Sequence, residues 1–396
     1  MDILEFIDHY SLSADSIDGE ACLGALLSDM EQGLAGIGNI PMIPSYLPLD
    51  VDPQIGIPCC VLDAGDTNLR AARAEFDSRG NCVLKDFVKA PMPGTRGELS
   101  FDGFYGELAR YVHSTGCPER IGFCFSYNVS LERSLDGILD AWCKEVHVPQ
   151  APGKYVGASL KKAIGPDCGS VTVLNDSTAA LLGAHRADPE VTLALILGTG
   201  INVCYVERCD NAPKLPKDLK KDSMIISTEI GEFRGIPKNP FEAAVIAATQ
   251  EPELAHAEKQ CAGAYLGEIL SRAFREAKQL GLLAPDFPEA MTLPQLSDQL
   301  AALPAAPKQI ALAVIGRAAK IAAILTAGAI VRSCPEHTEC AMVIEGSQYE
   351  KLTGFSEAFR EALAKLLAPR HITCHIRRIE NSCLLGAAAA AFAEGM

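Results

Sequence analysis

The sequence predicts an α/β protein of two domains, and three observations carry that expectation. At 396 residues the chain is longer than one ordinary hydrophobic core serves. Apolar runs of strand character alternate with stretches of helical spacing along most of its length. Two strand–turn–strand stretches, around 61–76 and 193–207, each carry Gly, Thr and Asn in the turn, and their likeness reads as an internal duplication that sets two equivalent hairpins toward one ligand.

Residues 1–40 read as amphipathic helix, with Ile3, Phe6, Ile7 and Tyr10 on one face and Leu23, Leu26, Leu27 and Met30 on another, until Gly33 and Gly36 end the pattern. Successive prolines make 40–48 an extended connector. Strands follow from 55 to about 90 around Val61-Leu-Asp-Ala-Gly-Asp-Thr-Asn-Leu-Arg70. Such a turn offers backbone N–H groups and a hydroxyl to an anion, with Asp63 near enough to hold a metal's water shell; the same stretch also reads as an ordinary hairpin with polar turn residues. A helix is expected over 99–113, then a strand, Ile121-Gly-Phe-Cys-Phe-Ser-Tyr-Asn128, running into a polar tip. Leu131, Leu135, Ile138, Leu139 and Trp142 recur at helical spacing, which brings Lys144 just past that face.

The strand 171–174 ends in Asn175-Asp176 and passes into the helix 177–185, the place where α/β proteins put ligands. After the second hairpin come a Lys- and Pro-bearing loop over 208–224, a strand at 224–226, and helices over 241–250, 257–281 and 309–332, the last two separated by a Pro-rich stretch. A final unit has a strand at 341–344, a Glu345-Gly-Ser turn, a helix over 354–367 and a strand over 371–377, before an alanine-rich helix closes the chain.

Composition narrows the function classes. A hydrophobic content of 48% with 21% charged residues describes a folded chain rather than a disordered one. The net charge of −15 argues against nucleic acid or an anionic membrane as partner, but not against a phosphate neutralised locally by backbone amides and Mg²⁺. The first residues lack the basic start and apolar core of a signal peptide, and the longest apolar run, 310–331, carries Arg317 and Lys320 near its middle, so it reads as a buried helix. Fifteen cysteines without paired C-x-x-C spacing suggest free thiols in a reducing cytoplasm rather than zinc.

Taken in order, these motifs resemble those of the hexokinases, members of the actin and heat-shock-chaperone ATPase superfamily, along nearly the whole chain. The opening turn is similar to the family's first phosphate motif, Leu-Asp-x-Gly-Gly-Thr-Asn-x-Arg, and Gly198-Thr-Gly-x-Asn202 to its second. Gly122-Phe-Cys-Phe-Ser-Tyr and Gly137-Ile-Leu-Asp-Ala-Trp-Cys-Lys144 resemble its sugar segment, while Asn175-Asp176 and Ser227-Thr-Glu-x-Gly-x-Phe233 match two further sugar motifs. Gly263-Ala-Tyr-Leu-Gly-Glu268 and Glu345-Gly-Ser347 complete the series.

The resemblance implies a two-lobed actin-like (ribonuclease H-like) ATPase fold with a sugar/ATP cleft between the lobes, the small one holding 51–174 plus 382–396 and the large one 1–50 plus 175–381. It implies an ATP-dependent, Mg²⁺-requiring transfer to the 6-hydroxyl of a D-hexose, glucose foremost, by a compact bacterial-type member, a monomer or homodimer with only small molecules as partners. Asp176 would be the general base, with Ser126, Lys144, Asn175, Glu229 and Glu268 around the sugar. Asp63, Gly65, Asp66, Thr67, Asn68 and Arg70 would form the first phosphate turn, with Asp63 holding water on Mg²⁺, and Gly198, Thr199, Gly200 and Asn202 the second. Gly346 and Ser347 would shape the adenosine site.

Four departures qualify this. Asp66 replaces the family's second glycine, Cys143 its Thr before the sugar Lys, Tyr127-Asn128 its Phe-Pro, and Ser227 its Asn. A carboxylate at about 4 Å from a phosphate oxygen is repelled by roughly 4 kcal/mol at an effective dielectric of 20, so Asp66 points to a weakened nucleotide site. It also keeps open a catalytically weak or silent sugar- or nucleotide-binding regulator, beside a kinase of another sugar or amino sugar.

Overall fold

In the computed structural model, which describes every residue except 66, 67, 117, 118, 143–145, 335–337 and 396, the opening stretch forms the expected hairpin. Strand Cys59–Ala64 is buried throughout and pairs antiparallel with Asn68–Phe76, placing Asp63 directly opposite Arg70. Its other edge pairs in parallel with Arg120–Phe125, which pairs in parallel with Ser170–Leu174. Register aligns Asp63 with Cys124 and Cys124 with Leu174, so the three strands end at one level. Strand Cys82–Pro91 completes this five-stranded sheet at its far edge. Helix Phe101–Ser114 buries Phe104, Tyr105, Leu108 and Val112 in a core shared with Phe123, Phe125 and Leu139.

The helical spacing read over 131–142 does not make a helix. Asn128–Leu131 and Gly137–Ala141 form a two-stranded antiparallel ribbon with Val129 opposite Leu139. The turn decides against the helix: Leu135 takes a left-handed φ of 61°, and the Asp136 carboxylate accepts from the N–H groups of Gly137, Gly157 and Ala158. Apolar residues spaced i, i+4, i+8 satisfy both periods over so short a run. Trp142 closes the ribbon, its indole N–H donating to the Val148 carbonyl at 2.9 Å.

A six-stranded sheet has the order Ile43–Pro44, Ser223–Ser227, Ile201–Arg208, Val191–Leu197, Glu339–Glu345, Thr373–Arg377. The expected helix over 257–281 is two, His256–Cys261 and Gly263–Gln279, broken where Ala262 turns extended. Within the Pro-rich stretch a further helix, Leu293–Gln299, starts at a reciprocal Thr292–Gln295 cap. Helix Ala305–Ser333 is long and apolar enough to cross a membrane, yet 78% of its apolar window is buried in the protein. Gly328 on it lies against Leu26 and Met30, so this face packs as core. Among the described cysteines no disulfide forms.

The chain divides into two compact units. One holds Met1–Met42, Leu195–Val203 and Thr228–Ile376, and the other Ile43–Ala194, Cys204–Ser227 and Arg377–Met396. The expected boundaries place 43–50, 175–194, 204–227 and 377–381 in the opposite unit from the one found. Packing explains part of the difference: helix Asp176–Ala187 meets helix Ser382–Ala390 so closely that a Cβ on Gly386 would lie 1.8 Å from the Ala179 carbonyl oxygen.

Candidate active site

In the second unit, several of the expected site residues gather where the three parallel strands end. The Ser126 N–H donates to the Ala64 carbonyl at 3.1 Å and the Tyr127 hydroxyl to the Gly65 carbonyl at 3.0 Å, which ties the polar tip of one strand to the turn of the next. Gly65 donates to the Asn68 carbonyl at 3.0 Å, and Asn68 opens the outgoing strand. Asp66, Thr67 and Lys144 lie outside the described residues, as does Cys143.

Asp63 is 4% exposed and ion-paired with Arg70, which reaches its Oδ2 through Nη2 and, at 2.6 Å, through Nε. Burial, the largest single influence, pulls the Arg70 guanidinium's pKa down, but the charge and hydrogen bond of Asp63 together with Cys383 and Cys124 outweigh it and the net direction is up. With Oδ2 committed to Arg70, Oδ1 is the oxygen left to hold a metal's water. That fits Mg²⁺, which keeps most of its water shell and needs one or two carboxylates beside substrate phosphates.

At the third strand end, Asn175 caps helix Asp176–Ala187. Its Oδ1 accepts from the Ser177 N–H at 2.9 Å and the Ser177 hydroxyl at 2.8 Å, while Asp176 Oδ1 shares the same N–H at 2.8 Å. Both residues are half-buried, so the pair sits at the surface of the sheet end rather than inside it.

In the first unit, the Gly198-Thr199-Gly200 turn is held from one side. Gly198 donates to the Gly200 carbonyl at 3.0 Å, and its own carbonyl and that of Thr199 accept from Gly263 and Ala264, at 2.9 and 3.1 Å. With those carbonyls taken up, the turn has the N–H groups of Thr199 and Gly200 and the exposed Thr199 hydroxyl to offer an anion. Gly346, at φ 129°, comes so close that a Cβ there would lie 2.2 Å from the Leu197 carbonyl oxygen, and the Ser347 nitrogen would be 3.7 Å from a Cβ on Gly198. The two glycine turns are therefore neighbours, as their expected roles require.

Asn202 does not act as a simple part of that turn. Its Nδ2 donates to Glu229 Oε1 at 2.7 Å, and its Oδ1 accepts from the Glu229 N–H at 3.0 Å. This holds Glu229 at φ 55°, a left-handed backbone that costs a non-glycine residue about 1–2 kcal/mol.

Glu268 has a side chain that is 47% exposed and pairs with Arg272 on the same helix at 2.9 Å. Glu258, which nothing in the sequence singles out, sits at the turn. Its Oε2 accepts from the Ile201 N–H at 3.0 Å and would be 2.5 Å from a Cβ on Gly200, while its own Cβ packs at Gly231, two residues from Glu229. The helix break at Ala262 brings it there, since Gly263 and Ala264 bind the turn just after the helix that carries Glu258. Glu258 and Glu268 lie five residues before and after Gly263, so spacing alone does not separate them.

Comparison with solved structures gives the class. The fold matches a hexokinase from Schistosoma mansoni complexed with glucose, with a TM-score of 0.83, 21% identity and 98% of each chain covered. It also matches a ROK hexokinase from Thermus thermophilus, with a TM-score of 0.56, 21% identity, and 84% of this chain and 97% of that one covered. The chain thus has the two-lobed actin-like fold of the sugar kinases. Within that class, models of the hexokinase family match residues 3–186, 192–299 and 292–393, and the chain belongs to the hexokinase family. Its relatives include Hexokinase-2 of Solanum tuberosum, 33% identical over 67% of this chain and 58% of that protein, and Hexokinase-2 of Candida albicans, 30% identical over 69% and 61%. The chain matches about three-fifths of the length of these relatives.

Proposed function

We propose that the protein transfers the γ-phosphoryl group of ATP to the 6-hydroxyl of a D-hexose, with glucose as the first substrate to test. The observation that carries this reading is the Asn175-Asp176 pair at a parallel strand end, half-buried and fixed from behind by Ser177. The likeness of this pair to the Asn-Asp motif of the family supports that reading.

Asp176 takes the proton of the hexose CH₂OH as its oxygen bonds to the γ-phosphorus; the bond from that phosphorus to the bridging oxygen breaks, ADP leaves and the proton stays on the carboxyl. Glu229 and Glu258 accept from sugar hydroxyls, and Asn202 keeps the Glu229 carboxylate aimed. Asn175 and Lys144 donate, and Ser126 does either. Such pairing suits a polyol, because each buried polar atom left unmatched costs about 1–3 kcal/mol. The turns at 65–68 and 198–200 receive the phosphates and Gly346-Ser347 the adenosine. Bound Mg²⁺ supplies charge neutralisation of the phosphates, and Asp63, backed by Arg70, is the residue to hold its water.

A coupled assay with MgATP over glucose, mannose, fructose and glucosamine tests the reading, and the same panel separates a kinase of another sugar. Turnover of at least one hexose is expected, with Asp176→Ala lowering kcat by about 10²–10⁴, the range of general-base catalysis. Undiminished turnover in Asp176→Ala removes that assignment. Sugar binding without turnover by the wild type favours the second reading, a silent regulator, which the Asp66 charge keeps in view. Asp66→Gly is expected to lower KM for ATP; unchanged KM and kcat would contradict a weakened nucleotide site.

A further inference from the structure

Capping explains only part of what surrounds Asn175. A helix N-cap needs its side-chain oxygen to meet a backbone N–H, and the Ser177 N–H does that at 2.9 Å. The Ser177 hydroxyl adds a second bond to the same oxygen at 2.8 Å, and it is in turn met by the Ser227 hydroxyl at 3.2 Å. Ser177 and Ser227 are 0% and 1% exposed, so this pair of hydroxyls is shut away from water, under a residue at the end of a strand. Ser227 is also one of the positions where the chain departs from the family motif.

The direction of each bond follows from the donors available. The Ser177 N–H can only donate, so the Asn175 atom facing it is the carbonyl oxygen and not the amide nitrogen. The single hydroxyl proton of Ser177 goes to that same oxygen, which leaves Ser227 as the donor to Ser177. Both acceptor sites of Asn175 Oδ1 are then filled from the protein side. The NH₂ group, with two N–H bonds, can only donate.

We propose that Ser177, aligned by Ser227, is a positioning residue that locks Asn175 as a donor and so selects a hydroxyl oxygen, an acceptor, beside Asp176. A substrate hydroxyl held this way receives from Asn175 and has its own proton directed to a carboxylate. The inference rests on the reading of Asn175 as a sugar ligand, and it gives the Ser227 departure a function: the hydroxyl of Ser227 fixes a rotor that a longer side chain would have to fix differently.

Two measurements test it. In steady-state kinetics, Ser177→Ala is expected to raise KM for the sugar roughly 3–10-fold, the loss of one hydrogen bond, with KM for ATP within twofold. Ser177→Thr, which keeps the hydroxyl, restores the sugar KM, and Ser227→Ala gives a smaller rise. In an Asn175→Ala background Ser177→Ala is expected to add nothing, because its effect passes through the missing amide. An equal rise in both backgrounds would overturn the positioning role.

The second measurement does not need turnover. With ¹⁵N-asparagine labelling, the side-chain NH₂ pair of Asn175, identified by its loss in Asn175→Asp, is expected to be sharp in the wild type and broadened or shifted in Ser177→Ala and Ser227→Ala. Unchanged signals in both variants overturn the relay even if the protein proves to be a kinase. Changed signals in a protein that phosphorylates no hexose uphold the relay while the kinase reading falls. Ser227→Ala serves alone if Ser177→Ala does not fold.

Discussion

Glu258 and Glu268 show how a single carboxylate acquires or loses a chemical role. Both follow the same arithmetic around Gly263, and the motif Gly263-Ala-Tyr-Leu-Gly-Glu268 draws attention to the second. Helical geometry sends Glu268 outward, where Arg272 one turn on pairs with it at 2.9 Å; exposed pairs of this kind are worth about 0.3–0.5 kcal/mol. Glu258 instead holds the Ile201 N–H beside a glycine that leaves room for it. The expected outcome is that Glu258→Gln raises KM for the sugar about tenfold or more, as for a lost charge-assisted hydrogen bond, whereas Glu268→Gln stays within about twofold. Steady-state kinetics on the two variants checks this, and the reverse order would restore Glu268. Asn202 carries a related expectation: Asn202→Ala frees Glu229 from its left-handed backbone, so sugar KM rises while KM for ATP changes little. Asp63, Asn175, Asp176 and Glu229 stand out in the sequence because short motifs carry them, and their roles rest on the proposed function. Glu258 and Ser177 do not, since their roles depend on a helix break and on buried contacts that leave no spacing signal.

Elements explain which parts of the pattern could be read at all. Strands buried along nearly their whole length, such as Cys59–Ala64 and Arg120–Phe125, write themselves as near-continuous apolar runs, and the long helix Ala305–Ser333 shows by length. The ribbon at 128–141 is the counterexample, because Leu131, Leu135 and Leu139 fit either period and the Asp136 turn decides through contacts with Gly157 and Ala158, far along the chain. The approach of helices Asp176–Ala187 and Ser382–Ala390 is equally silent in sequence. It requires glycine on both sides, since a Cβ on Gly183 would lie 2.0 Å from the Ser382 carbonyl oxygen. Because Asp176 and Ser177 start the first of these helices, pushing it away disturbs the site it carries. Gly386→Ala is expected to cost about 1–3 kcal/mol by overpacking. Thermal unfolding checks it as a drop in Tm of about 2–12 °C, at roughly 2–4 °C per kcal/mol for a unit of this size. An unchanged Tm would mean that the two helices part without strain.

For the molecule as a whole, fold and chemistry rest on different supports. The unit of Met1–Met42, Leu195–Val203 and Thr228–Ile376 is organised on helix Ala305–Ser333, whose Arg317 is fully buried against Glu242. That guanidinium donates to Glu242 at 2.7 and 3.0 Å, to Ser16 at 2.6 Å and to the Pro237 carbonyl. Removing one partner of a buried pair leaves an uncompensated charge, so Arg317→Met is expected to destabilise by about 3–5 kcal/mol in denaturant unfolding. A near-normal midpoint would show that Glu242 takes up a proton instead, in line with burial pushing its carboxyl upward against the pull of Arg317. The chemistry is the central claim, and product analysis reaches it most directly. Wild-type protein with glucose, ATP and Mg²⁺ is followed by ³¹P NMR with proton coupling. The account expects a new phosphomonoester coupled to the two C6 protons, formed one for one with ADP. No turnover, inorganic phosphate as the sole new product, or a phosphate on another carbon would contradict it.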